Sequence, residues 1–60
     1  MYKVLINWKG EIHNLYTNSP NSNKALHNCI NQLANILNIS VSSVRNYVTE
    51  KDRYTICKLK

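Results

Sequence analysis

Sixty residues with 43% hydrophobic content leave room for one small domain built on one small core. With that content and a single Gly and a single Pro, the chain does not read as disordered, and no apolar run is long enough to cross a membrane. The net charge of +5, from eight Lys or Arg against three acids, disfavours mimicry of an acidic polymer and favours an anionic partner.

Residues 2–17 predict a β-hairpin. Tyr2, Val4, Ile6 and Trp8 alternate with Lys3, Leu5, Asn7 and Lys9 before the lone Gly10. Beyond it, Ile12 and Tyr16 form one face and His13 with Leu15 the other. A three-residue loop, Trp8-Lys9-Gly10, would pair Ile6 with Ile12 and Tyr2 with Tyr16 and put Gly10 at a bulge. Trp8 is expected to be a core residue, the alternative being an exposed anchor for a protein partner. The opening stretch is too short and too interrupted by Tyr and Lys for a signal peptide, so a cytoplasmic location is expected.

Residues 18–23, Asn-Ser-Pro-Asn-Ser-Asn, are all turn formers or helix cappers and read as the linker. A helix is expected from Ser22 or Asn23. Leu26, Cys29, Ile30, Leu33, Ala34 and Leu37 recur at three- and four-residue spacing along its core face. Asn28, Asn31, Gln32 and Asn35 make the other side polar but uncharged.

The pattern then becomes that of a helix-turn-helix. Asn38 stands where the backbone must turn left-handed, a conformation that Gly and Asn tolerate best. Ile39 is expected to plug the corner, and Ser40 to cap a second helix running to Glu50. Val44, with Tyr47 or Val48, would face the first helix, and the small Ala34 would let the two approach closely. Lys51-Asp52-Arg53 reads as a polar turn. Residues 54–59 read as a strand that needs the hairpin to complete a sheet. The expected architecture is therefore α+β, one domain over residues 1–60. It comprises a hairpin (2–17), a helix-turn-helix (22–50) and a closing strand (54–59), in the order ββααβ.

Candidate binding residues follow from the helical angle of about 100° per residue. With Val44 and Val48 inward, Ser42, Asn46, Thr49 and Arg53 point outward and Arg45 lies on the shoulder. Arg can grip guanine and Asn can grip adenine bidentately. Ser40, Ser42 and Ser43 near the helix start suit phosphate contacts, as does the positive helix end. Lys51 and Arg53 extend the basic surface. Any one of these residues would also suit a merely soluble surface; the weight lies in their combination with the turn.

Cys29, Cys57, His13 and His27 form a metal set only on paper, because no two Cys stand two to four residues apart. Free, buried thiols are expected instead. His27 and Cys29 are two apart, which on a helix sends them to different faces, so no thiolate–imidazole couple is expected. Glu11, Glu50 and Asp52 fall in expected turns without a completing His or carboxylate. Neither an enzyme nor a cofactor is expected.

Two stretches carry a family resemblance. Residues 6–19, Ile-Asn-Trp-Lys-Gly-Glu-Ile-His-Asn-Leu-Tyr-Thr-Asn-Ser, and residues 33–44, Leu-Ala-Asn-Ile-Leu-Asn-Ile-Ser-Val-Ser-Ser-Val, resemble the nuclease-associated modular DNA-binding domain of homing endonucleases. Gly10 falls at the family's turn glycine, Tyr16 at its aromatic, residues 40–44 at the start of its recognition helix, and residues 53–57 at its closing strand. Residues 20–32 depart from it by inserting a longer first helix, and no accompanying nuclease domain is expected. The resemblance thus implies DNA contact by the second helix and not cleavage.

The abundance of Asn, Ile, Lys and Tyr points to an AT-rich genome, as in a low-GC bacterium or its phage. The expected function is a small DNA-binding regulator or accessory protein reading duplex DNA, in the host cytoplasm if phage-encoded. Paired half-sites would favour a homodimer. The alternatives are an inhibitor that docks on a host protein through the hairpin, and a structural domain with no ligand.

Overall fold

The computed structural model describes residues 1–59; Lys60 and the side chain of Lys51 lie outside the described residues. Strands β1 (Tyr2–Trp8) and β2 (Glu11–Thr17) form the hairpin. Helices α1 (Ser22–Leu37) and α2 (Val41–Tyr47) follow, then a 3₁₀ turn (Lys51–Arg53) and strand β3 (Tyr54–Lys58). The sheet is antiparallel with order β2-β1-β3, so β1 is central and the closing strand docks on the side away from β2. The order is the expected ββααβ. Leu59 extends the pairing by one bond, donating its N–H to the Met1 carbonyl at 2.8 Å.

The hairpin register differs from the expected one. Trp8 pairs with Glu11 and Tyr2 with Thr17, leaving only Lys9 and Gly10 in the turn. Both have positive φ, 50° and 95°, as a type I′ turn requires. That turn's twist matches the twist of the strands, so it prevails over the three-residue loop with its bulge. A one-residue shift moves every side chain of β2 to the opposite face. Leu15 and His13 therefore join the inner face, opposite Val4 and Ile6. Ile12 and Tyr16 lie on the outer face and are exposed, 57% and 52%. Neither Ile6–Ile12 nor Tyr2–Tyr16 forms. Glu11, expected in a turn, opens β2.

α1 covers the inner face of the sheet. Asn21 caps it, its side-chain oxygen accepting from the Lys24 N–H at 2.9 Å. Ala25, Cys29, Ile30, Leu33 and Ala34 are buried, with Leu26 and Leu37 packed at the margin. They meet Tyr2, Val4, Ile6 and Leu15 from the sheet and Val44 and Val48 from the second helical segment. Part of α1's polar side is also used. Asn28 donates to the hydroxyls of Thr17 (3.2 Å) and Ser19 (2.9 Å), and Gln32 donates to the Tyr16 carbonyl (3.1 Å). These bonds clamp the helix to the end of β2.

The helix-turn-helix turn forms as expected at Asn38, whose φ of 58° and ψ of 44° are left-handed. Its N–H bonds the Asn35 carbonyl at 3.2 Å, and the Ile39 N–H reaches back to Ala34 at 3.1 Å. Together they satisfy two carbonyls that the end of α1 would otherwise leave unpaired. Ile39 does not plug the corner. It is 39% exposed and lies on a surface groove, and Leu37 and Val41 pack against the core there instead.

α2 ends at Tyr47, not Glu50. Local side chains explain the early stop. The Thr49 hydroxyl donates to the Asn46 carbonyl and the Arg53 guanidinium to the Tyr47 carbonyl, each at 2.9 Å. A longer helix would have offered those carbonyls to the backbone amides of residues 50 and 51.

Candidate nucleic-acid interface

The outer surface of α2 is set by its inner one. Val44 is fully buried and Val48 nearly so, which fixes the helix's rotation and turns Ser42, Ser43, Arg45 and Asn46 to solvent. Arg45 has no ion-pair partner among the described residues. The two-turn helix is roughly 10 Å long at 1.5 Å per residue, enough to present only a few side chains to a groove.

Three of the expected contact residues are committed elsewhere. The Ser40 hydroxyl caps α2, accepting from the Ser43 N–H at 3.2 Å and lying 2.9 Å from the Ser43 hydroxyl. Its bond is to the helix start, where a phosphate contact was expected. Thr49 lies beyond α2 and its hydroxyl serves the Asn46 carbonyl. Arg53 points back instead of outward. Besides bonding the Tyr47 carbonyl, its guanidinium carbon sits 4.1 Å from the centre of the Tyr47 ring. A cation at the end of α2 is favoured by the helix dipole, and a half-buried ring adds a cation–π contact. Lys51 opens the 3₁₀ turn, and its side chain lies outside the described residues.

An open groove of about 740 Å³ runs between α2 and the hairpin tip. Ser43, Asn46 and Tyr47 form one wall, Trp8 and Lys9 the other, with Leu37, Ile39 and Arg53 completing it. Trp8 is not a free anchor; it packs at the margin of the core, not within it. Half-buried, it packs on Tyr47 with ring centroids 4.8 Å apart and planes at 59°. The Lys9 N–H donates to the Tyr47 hydroxyl at 3.1 Å, and the Lys9 ammonium lies 5.2 Å from the Trp8 ring centre. Two cations thus flank a Trp–Tyr pair that ties the hairpin tip to α2. Lys9 was not among the expected contact residues. The signal that could have found it is the Lys-Gly dipeptide as a two-residue turn, which puts Lys9 at the tip.

The thiols do not behave alike. Cys29 is buried, and burial pushes its thiol above the usual range, away from the reactive thiolate. Cys57, expected to be buried, is exposed, because it shares the outer sheet face with its β1 partner Lys3. Among the described residues, no group of three or more His, Cys, Asp or Glu could hold a metal, and no helix is long and apolar enough to cross a membrane.

Comparison with known protein families, characterised proteins and solved structures finds no match to this chain.

Proposed function

We propose that this chain is a small helix-turn-helix protein that reads duplex DNA with α2, serving a phage or low-GC bacterium as a regulator or accessory factor. The observation that carries the reading is the outer face of α2. Ser42, Arg45 and Asn46 are exposed on a helix whose rotation the buried Val44 and Val48 fix and whose entry the left-handed Asn38 sets. Arg and Asn match the hydrogen-bonding edges of guanine and adenine in the major groove. The net charge of +5 supplies the sequence-independent attraction.

The test is a titration of the protein against random-sequence duplex across a salt gradient. Binding that weakens steeply as salt rises supports the reading, and no binding at low salt ends it. A second reading, docking on a host protein, has Ile12 and Tyr16 in its favour, since both stand exposed on the outer sheet face. Capture of a host protein in high salt, abolished by Ile12→Lys, would favour that reading.

A further inference from the structure

We propose that the hairpin tip is a second DNA contact, with the Lys9 ammonium meeting the phosphate backbone beside the groove that α2 enters. The inference rests on the reading of α2 as a duplex-binding helix and adds a site to it.

Placement is the first ground. Lys9 and the α2 residues Ser43 and Asn46 line one open groove, so a duplex laid against α2 passes the hairpin tip. The offset between them is held rather than loose. The Lys9 N–H bonds the Tyr47 hydroxyl at 3.1 Å, and Trp8 packs on the same Tyr47 ring. The residue that carries the cation is therefore anchored through its own backbone.

Chemistry decides what the groove takes. An aromatic floor could stack an unpaired nucleobase. Here, though, the Trp8 ring already has Tyr47 and the Lys9 ammonium against it, and the Tyr47 ring has Trp8 and the Arg53 guanidinium. The rings are engaged with one another and with the cations, and the groups still able to meet a ligand are the cations' outer sides. Of the two cations, Arg53 is held by the Tyr47 carbonyl. Lys9 is exposed, its ammonium touches only the Trp8 ring at a loose 5.2 Å, and it has no carboxylate partner among the described residues. A seven-residue helix also reaches few bases, so a backbone contact at a fixed distance is what such a module lacks.

The backbone of Lys9 permits a clean test. Its φ of 50° suits Asn better than Lys, so Lys9→Asn removes the charge and keeps the turn. Lys9→Arg keeps the charge. Lys24→Gln removes a charge at the start of α1, away from the groove. Duplex affinity is measured from low to moderate salt for the parent and these variants, with melting to confirm folding. Lys9→Asn should bind roughly five- to tenfold more weakly at about 0.1 M salt and reduce the slope of log K against log salt by about 0.9, as one phosphate contact implies. Lys9→Arg and Lys24→Gln should retain the parent slope. Equal weakening in Lys9→Asn and Lys24→Gln would mean that only overall charge matters and would overturn the second contact. An unchanged slope in Lys9→Asn, with binding still abolished by joint replacement of Arg45 and Asn46 by Ala, overturns the tip contact and leaves the α2 reading standing. A parent that binds no duplex at low salt overturns both.

Discussion

Tyr47 accepts a hydrogen bond from the backbone of Lys9, 38 residues away, at 3.1 Å, and its ring carries Trp8 on it. This joins the two ends of the fold that local pairing leaves apart, the hairpin tip and the end of α2. Tyr47→Phe removes the hydroxyl and should cost about 0.5–1 kcal/mol, since the bond is exposed and only its net worth is forfeited. Tyr47→Ala removes the ring from Trp8 and Arg53 as well and should cost about 2–3 kcal/mol, somewhat less than for a fully buried aromatic. Urea unfolding reads both. Trp8 is the only Trp in the chain, so its emission should shift to the red in Tyr47→Ala even in the folded state. An unchanged spectrum would mean that the ring does not shield it.

Asn38 should tolerate Gly and reject Val. Its φ of 58° is open to Gly at no steric cost, whereas a β-branched side chain resists the left-handed region. Asn38→Val should lower stability by about 2 kcal/mol, and Asn38→Gly should stay within about 0.5 kcal/mol of the parent. Thermal melting of the pair checks this. Equal melting temperatures would show that the turn does not demand its left-handed residue.

The two thiols should react at very different rates. Cys57 is exposed on the edge strand and should be labelled by a maleimide within minutes in the native protein. Cys29 is buried and its thiol is raised by desolvation, so its labelling should wait for unfolding. Mass spectrometry over a time course should therefore show one adduct, then a second only in denaturant. The raised thiol also sets a pH direction. The unfolded chain ionises Cys29 at lower pH than the folded one does. Its share of stability is thus full below the unfolded value and is lost as pH climbs through the raised folded value.

Arg45 and Asn46 should separate binding from folding. Both are exposed on α2, away from Val44 and Val48, so replacing both with Ala should leave stability within about 0.5 kcal/mol of the parent. On the DNA reading the same change should weaken binding by about 1–3 kcal/mol for each bidentate base interaction it removes. Fluorescence anisotropy on the preferred duplex gives the affinity and calorimetry the melting. Full affinity in the double variant would remove α2 as the reading element.

Local chemistry made much of this molecule legible in the sequence. The Asn38 turn, the Ser40 cap, the α1 stripe and the inward Val44 and Val48 are set by residues within a few positions of one another, through backbone sterics, capping bonds and helical period. The order ββααβ follows from them, because a lone final strand has only the hairpin to pair with. The outward direction of Arg45 and Asn46 was legible for the same reason.

What the tertiary structure alone decided depends on groups distant in sequence or on choices close in energy. Two turn lengths were open to the hairpin; the I′ turn settled the register and sent Ile12 and Tyr16 outward. Arg53, outward by helical counting, turned back because α2 had already ended and left the Tyr47 carbonyl and ring for it to meet. Trp8 came to rest at the margin of the core against Tyr47, and with it Lys9 came to line a groove with Asn46. No periodicity encodes such a meeting, since it depends on how a sheet and a helix pair come to rest on one shared core.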